Sequence, residues 1–176
     1  MKRKIGGVTI ECIQGDIADQ SDIEAIVNAA NAELQTGGGV AGAIHRRAGR
    51  RLARECRRFA PIQVGEAVIT GAYNLPNKYV IHCLGPVYGK DTPSDKLLAD
   101  CYRNALKIAD EKEVESIGFP AISTGAFGYP MEDAARVALS LIKEEAPKLK
   151  NIKKIRFVLF DESARRIHEK VLEDIT

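Results

Sequence analysis

The chain reads as a three-layer α/β/α protein built on a mixed, mainly parallel sheet. Three observations predict it. Short β-rich runs alternate with helical stripes through most of the sequence, which calls for parallel strands covered on both faces. Turn chemistry joins two pairs of neighbouring runs, Ile5-Gly6-Gly7-Val8 and Tyr73-Asn74-Leu75-Pro76-Asn77, so each pair is expected antiparallel and makes the sheet mixed. No repeat, low-complexity tract or linker interrupts residues 1–176, a length suited to one domain with a sizeable core.

In order along the chain, a short first strand turns at Gly6-Gly7 into Val8–Gln14, which stops at Gly15-Asp16. Ile23–Val27 is a short apolar strand. Residues 40–60 read as helix, with Gly49 the candidate break. Ala67–Thr70 and Tyr79–Leu84 are the second antiparallel pair. Over Asp95–Asp110, the residues Leu97, Leu98, Cys101, Tyr102, Ala105, Leu106 and Ala109 fall on one helical stripe. Ser116–Phe119 is a buried strand entering Pro120. Glu132–Ala146 is helical, with Ala134, Ala138, Leu141 and Ile142 inward and Pro147 just past its end. Ile155–Phe160 is the last strand. Ser163 is the expected cap of a final helix facing inward through Ala164, Ile167, His168, Val171, Leu172 and Ile175.

Composition narrows the function classes. Hydrophobic content of 45% and charged content of 28% are ordinary for a soluble globular protein, and a net charge of +2 argues against a general nucleic-acid or membrane binder. No apolar run approaches the ~20 residues of a membrane span. Met1-Lys2-Arg3-Lys4 resembles the start of a signal peptide, but Gly6-Gly7 and Glu11 interrupt the adjoining stretch and leave it no continuous apolar core. Cys12, Cys56, Cys83 and Cys101 have no paired or metal-ligand spacing, so four neutral thiols in a reducing cytoplasm are expected, with no metal and no cofactor.

Three strand ends carry unusual residues: Gly15-Asp16-Ile17, Asn28 through Gly39, and Ser123 through Gly128. Ligands of open α/β sheets bind beyond the carboxyl ends of parallel strands, so one shared crevice is expected. Gly37-Gly38-Gly39-Val40-Ala41-Gly42 formally matches a dinucleotide fingerprint. It does not follow its strand directly, however, and no acidic residue ends a second strand ~20 residues on. No Gly-Lys-Ser/Thr follows either, which excludes a P-loop. What remains is a glycine loop feeding a helix N-terminus, either an anion site or a tight packing turn.

The Ser123–Gly128 loop has the same logic, with hydroxyl donors on Ser123 and Thr124 and close backbone approach at Gly125 and Ala126. Phe127 suits either stacking on a sugar or base or anchoring in the core. Two phosphate-suited loops suggest a diphosphate. Asp16 accepts hydrogen bonds only, so it fits an exocyclic amine such as that of adenine, or it is a turn cap. Phe160 at the end of the last strand could cover a base. The Asn31 amide can grip a ribose diol, while Asn28 is expected to tie the loop backbone.

Seven arginines fall between Arg46 and Arg58. They form a solvated helix face or, alternatively, a docking surface for an acidic partner or RNA; Phe59, just past Arg58, is the only aromatic beside them, which argues against a single-strand stacking platform and makes a nucleic-acid partner unexpected. His82 and His168 are expected as packing residues, and His45 as a loop-side or surface residue.

Together these stretches resemble the macrodomain family, which binds ADP-ribose. The resemblance covers nearly the whole chain: GDI at 15–17, AIVNAAN at 25–31, GGGVAGAIH at 37–45, YVIHCLGP at 79–86, FPAISTGAFGYP at 119–130 and FDE at 160–162. It is strongest toward MacroD-like and O-acetyl-ADP-ribose deacetylase-like members. The resemblance implies a six-stranded mixed sheet and a monomer. It implies that Asp16, with Ile17 beside it, holds adenine and that Phe160 stacks on it. Gly38, Gly39 and Val40 would form one diphosphate loop and Ser123, Thr124, Gly125, Ala126 and Phe127 the other. Phe127 and Asn31 would flank the distal ribose, placing Asn31 and Gly39 at the reacting end. The implied activity is hydrolysis of esters at that ribose, either in mono-ADP-ribosylated acidic side chains or in O-acetyl-ADP-ribose. The alternatives are a non-catalytic ADP-ribose reader and a phosphatase acting on ADP-ribose phosphorylated at the distal ribose. One departure stands out: where MacroD-type hydrolases often carry an aspartate, this chain has Ala41.

Overall fold

The computed structural model describes residues 1–176. Its strands are β1 (Lys2–Ile5), β2 (Val8–Gln14), β3 (Ala25–Ala29), β4 (Ala67–Gly71), β5 (Tyr79–Cys83), β6 (Ser116–Phe119) and β7 (Lys154–Leu159). The helices are α1 (Gly39–Ala48), α2 (Arg50–Cys56), α3 (Ser94–Glu111), α4 (Met131–Glu145) and α5 (Glu162–Ile175). The strands form one sheet in the order β1-β2-β7-β6-β3-β5-β4. β2, β7, β6, β3 and β5 run parallel, and the edge strands β1 and β4 are antiparallel to their neighbours.

The sheet therefore has the seven strands read along the chain rather than the six that the resemblance implies. Its edge β1 folds back on β2 because Gly6 and Gly7 take φ of 55° and 83°, the left-handed values a two-residue hairpin turn requires. Lys2, Arg3 and Lys4 leave this edge exposed and charged, which discourages pairing with another chain.

Burial on both faces of the central strands results from covering layers on each side. One core gathers Val27, Ile117, Phe157 and Ile81 under α3, α4 and α5. The other sets Ile26, Val80 and Val158 against Ile44 and Ala48 of α1 and Leu52 and Cys56 of α2. Alternate residues of one strand thus enter opposite cores, as a period of two dictates. In the larger core Tyr102 lies 5.0 Å from Phe119 and 6.1 Å from Phe157, ring centre to ring centre. Its buried hydroxyl donates to Pro120 C=O and accepts from Ile122 N–H, both at 3.3 Å. This aromatic cluster therefore also fixes where the chain leaves β6, immediately before Ser123.

One local expectation holds and one changes. Residues 40–60 break at Gly49, whose φ of 89° separates α1 from α2. Asp161, not Ser163, caps α5, its Oδ1 accepting from Ala164 N–H at 2.8 Å. Ser163 lies inside the first turn, where its hydroxyl caps nothing. No helix is long and apolar enough to cross a membrane.

Candidate functional site

Because the five central strands are parallel, their carboxyl ends open on one side of the sheet. The segments leaving β2, β7, β6, β3 and β5 line a single cleft of about 800 Å³. Asp16, Ile17, Asn31, Gly38, Gly39, Val40, Ser123, Thr124, Gly125, Ala126, Phe127 and Phe160 all lie on its wall, as does Ala41. Strand order sets their sequence across the cleft. Asp16 and Phe160 follow the adjacent strands β2 and β7, the Ser123–Gly128 loop follows β6, and Asn31 follows β3.

Three helix N-termini reach the cleft wall, those of α1, α4 and α5, and only that of α1 has no acid in its first turn; α4 carries Glu132 and Asp133 there. α5 begins with Asp161 and Glu162 and is capped by the Asp161 carboxylate. α1 begins at Gly39 with no side-chain cap and no acid in its first turn. The first N–H groups of a helix have no intrahelical acceptor, and the helix dipole makes that end positive. The α1 end, approached through Gly37 and Gly38, is therefore the one open to an anion.

The β6 loop offers a second polar contact. Ser123 takes φ 68°, and its Oγ is buried with no hydrogen-bond partner. A side chain on Gly85, at the exit of β5, would place Cβ 2.2 Å from that Oγ, so the glycine is what leaves room for it. The Thr124 hydroxyl instead donates to Ala121 C=O at 2.8 Å and holds the loop itself. Phe127 packs partly on the α1–α2 core, whereas Phe160 is 90% exposed. An aromatic that exposed at a cleft mouth gains nothing from the fold and has its whole face open to a ligand. Asp16 Oδ1 accepts from Ala18 N–H at 2.9 Å and tightens the turn, which leaves the second carboxylate oxygen without an intramolecular donor.

The backbone-tying role expected of Asn28 falls to Asn31. Asn31 ties the loop: its amide nitrogen donates to Gln35 C=O at 2.9 Å and its oxygen accepts from Gln35 N–H at 3.1 Å. Asn28 is buried and faces His82, because the β3–β5 register sets these residues side by side. Asn28 Nδ2 donates to His82 Nδ1 at 3.1 Å, and His82 Nε2 meets Thr70 Oγ1 at 2.9 Å, whose own hydroxyl donates to Gly71 C=O. That pattern requires neutral His82 with its proton on Nε2. His45 is not a surface residue. It sits on the buried side of α1 with Nε2 unpartnered, as does Asn28 Oδ1.

Burial lowers the pKa of His82 to about 3, with the nearby His45 adding to the effect, and burial also lowers that of His45. The unfolded chain then takes up a proton below about pH 6.5 that folded His82 refuses, so stability falls as pH falls. Between pH 6.5 and 5, His82 alone should remove about 2 kcal/mol. The depressed carboxylates Asp22, Glu24 and Asp110 titrate only below their ordinary values of 3.8 to 4.5 and do not contribute in that window. Urea denaturation at the two pH values measures the loss, and equal unfolding free energies would rule out a neutral buried His82.

Burial raises the thiol pKa of Cys12 to about 12, of Cys56 to about 11 and of Cys101 to about 12, and raises Cys83 well above the usual range. None is a candidate nucleophile. No three His, Cys, Asp or Glu side chains form a metal-holding group. The only carboxylates on the cleft wall are Asp16 and Asp161, both on the β2–β7 side, so none stands at the glycine loop beside Ala41.

Site residues not anticipated from sequence include Gly85 and Arg46. Gly85-Pro86 follows a strand just as Gly15-Asp16 does, and that signal could have marked a further parallel strand end.

The fold and cleft define an α/β/α module that presents an open helix N-terminus and a glycine-rich loop to a phosphate-bearing ligand. The chain belongs to the Macro domain family, whose model matches residues 27–138. A Macro domain-containing protein of Caldanaerobacter subterraneus is 46% identical over 171 residues, spanning 94% of this chain and 97% of its own length. The ADP-ribose glycohydrolase MACROD2 of Xenopus laevis is 46% identical over 164 residues, covering 92% of this chain and 39% of that longer protein. The Oceanobacillus iheyensis macrodomain, solved with ADP, superposes with a TM-score of 0.94 at 38% identity, over 99% of this chain and 95% of that one. The Trypanosoma brucei macrodomain in complex with ADP-ribose gives 0.85 at 40% identity, over 92% and 68%.

Proposed function

We propose that this protein binds ADP-ribose along the cleft and hydrolyses esters at its distal ribose, taking mono-ADP-ribosylated acidic side chains or O-acetyl-ADP-ribose as substrate. The observation that carries the binding half is the uncapped α1 N-terminus and the unpartnered Ser123 hydroxyl on the wall of one cleft. The diphosphate lies between them, adenine reaches Asp16 and Phe160, and the distal ribose reaches Asn31 and Phe127. The relatives named above, one an ADP-ribose glycohydrolase and one solved with ADP-ribose, support this reading.

With Ala41 in the glycine-loop helix and no carboxylate beside it, the protein contributes position rather than a general base at that end. Asn31 aligns the ribose, Phe127 and Gly39 confine the reacting end, and the bound diphosphate helps hold the attacking water. Well-oriented reactants can gain roughly 7–11 kcal/mol in this way. The same missing carboxylate favours a second reading, a non-catalytic ADP-ribose reader.

Incubation with a mono-ADP-ribosylated glutamate-containing protein separates the two. Time-dependent release of ADP-ribose is expected, with Asn31→Ala lowering kcat by about 10- to 100-fold and changing affinity less. Wild-type rates in that variant would refute the role of Asn31. No release alongside micromolar ADP-ribose binding by calorimetry would leave only the reader.

Asp16→Ala should weaken ADP-ribose binding by about 1–3 kcal/mol through the lost charge-assisted hydrogen bond. Equal binding of a guanine-based analogue by the parent protein would contradict adenine recognition by Asp16.

A further inference from the structure

The thirteen residues from Arg46 to Arg58 hold seven arginines, no lysine and one glutamate, in a chain whose net charge is only +2. The rest of the molecule is therefore net acidic, and the positive charge is concentrated on one face. α1 and α2 bury Ile44, Ala48, Leu52 and Cys56, and all seven arginines lie on the exposed side. Only Arg47 has a carboxylate partner, Asp19 at 3.8 Å. Glu55 is engaged instead by Gly71 N–H at 3.0 Å and the Tyr73 hydroxyl at 2.7 Å. Like charges three and four residues apart on a helix repel, and on α2 only Glu55 and the Tyr73 ring beside Arg51 offset that repulsion.

Folding adds what the sequence lacked. Phe59 is the only aromatic in the run, but the β4–β5 connection brings Tyr73 to the same face, with the Arg51 guanidinium 5.1 Å from its ring centre. Phe59 is 39% and Tyr73 37% exposed. Arginine forks pair with phosphates, and exposed rings stack on bases. Together they make the chemistry of a single-strand nucleic-acid surface. An acidic peptide would use the cations and leave both rings idle. α2 is only seven residues, about 10 Å, a span that suits a short stretch of one strand rather than the longer face of a duplex. Arg46 also lines the cleft, so the surface reaches the cleft edge.

We propose that the arginine face of α1 and α2, with Tyr73 and Phe59, binds a short stretch of single-stranded nucleic acid through phosphate contacts and base stacking. This surface lies outside the cleft except at Arg46, and the oligonucleotide titration that tests it does not depend on the ADP-ribose reading.

Fluorescence anisotropy with a labelled oligothymidylate and an oligouridylate of about a dozen nucleotides, at about 50 to 200 mM salt, measures the interaction. At low salt, micromolar binding is expected. Its logarithm should fall with log salt at a slope of about −3, as for four to five neutralised phosphates on a single strand. The combined variant Arg51→Glu, Arg54→Glu, Arg58→Glu should lose at least about 10-fold in affinity and flatten the slope. Its ADP-ribose affinity by calorimetry should match the parent's, which also establishes that it folds. Tyr73→Leu should lose about 5- to 100-fold with the slope unchanged. Three results overturn the proposal: no binding at low salt, equal or tighter binding of polyglutamate (which would assign the face to an acidic polypeptide), or full displacement of the oligonucleotide by ADP-ribose.

Discussion

Arg156→Ala should lower the free energy of unfolding by about 3–5 kcal/mol. Arg156 on β7 stands beside Glu11 on β2, and its Nε donates to Glu11 Oε1 at 2.7 Å. Both side chains are withdrawn from water, at 11% and 5% exposure. Without the guanidinium, the Glu11 carboxylate keeps only Lys2, 3.7 Å away on the exposed edge strand, and must stay buried with its charge largely uncompensated. The other contacts matter less to stability. Asp22, held bidentate at 2.8 Å, is 60% exposed and regains water when released. The loss should be measurable by urea denaturation. A Glu11→Leu, Arg156→Met double variant should recover most of it, because removing both charges removes the desolvation penalty. If the double variant is no better than the single one, the buried-charge explanation fails.

The same arginine reaches the functional site. Arg156 Nη1 donates to Gln20 Oε1 at 2.9 Å, and Gln20 Nε2 donates to Asp16 C=O at 2.9 Å. A buried charge pair thus braces the turn that presents Asp16. Arg156→Ala should also weaken ADP-ribose binding, by less than Asp16→Ala does, since the turn loosens while the carboxylate remains.

Strand positions and the cleft were legible because they rest on local signals. Gly6-Gly7 specifies its turn, apolar runs mark strands, and glycine or acidic residues at strand ends mark the ligand side. What escaped the sequence depends on pairing. Nothing local to Asn28 points to His82; the contact exists because β3 and β5 are neighbours in a particular register. The burial of His45 was partly visible, since it stands four residues after Ala41 and three before Ala48, but a histidine at such a position reads equally as polar and exposed. Asp161 and Ser163 are both good caps, and only the backbone geometry at Asp161, extended at φ −131° and ψ 168°, selects it. Tyr73 joins the arginine face only because the β4–β5 connection folds against α2. At the reacting end, the absence of a carboxylate beside Ala41 could be read directly, since no distant residue supplies one.

Gly42→Ala should weaken ADP-ribose binding by about 10- to 100-fold, the scale of losing a charge-assisted hydrogen bond to a phosphate. Gly42 lies in α1, where a Cβ would stand 2.4 Å from the backbone oxygen of Gly37. That oxygen belongs to the glycine loop, and no side-chain rotation can move it aside. Arg46 Nη1, 3.0 Å from the same Cβ position, can swing away, so Gly37 decides the outcome. The loop must shift away from the helix, and the N–H groups at the start of α1 lose their placement toward the diphosphate. Stability should change little, because alanine in a helix interior gains about 0.5–1 kcal/mol over glycine and offsets part of the strain. Calorimetry with ADP-ribose, paired with thermal unfolding of the same variant, tests this directly. A large fall in affinity with a nearly unchanged Tm places the effect in the loop. A fall in both would mean that the helix has come apart, and unchanged affinity would mean that the α1 N-terminus does not hold the diphosphate.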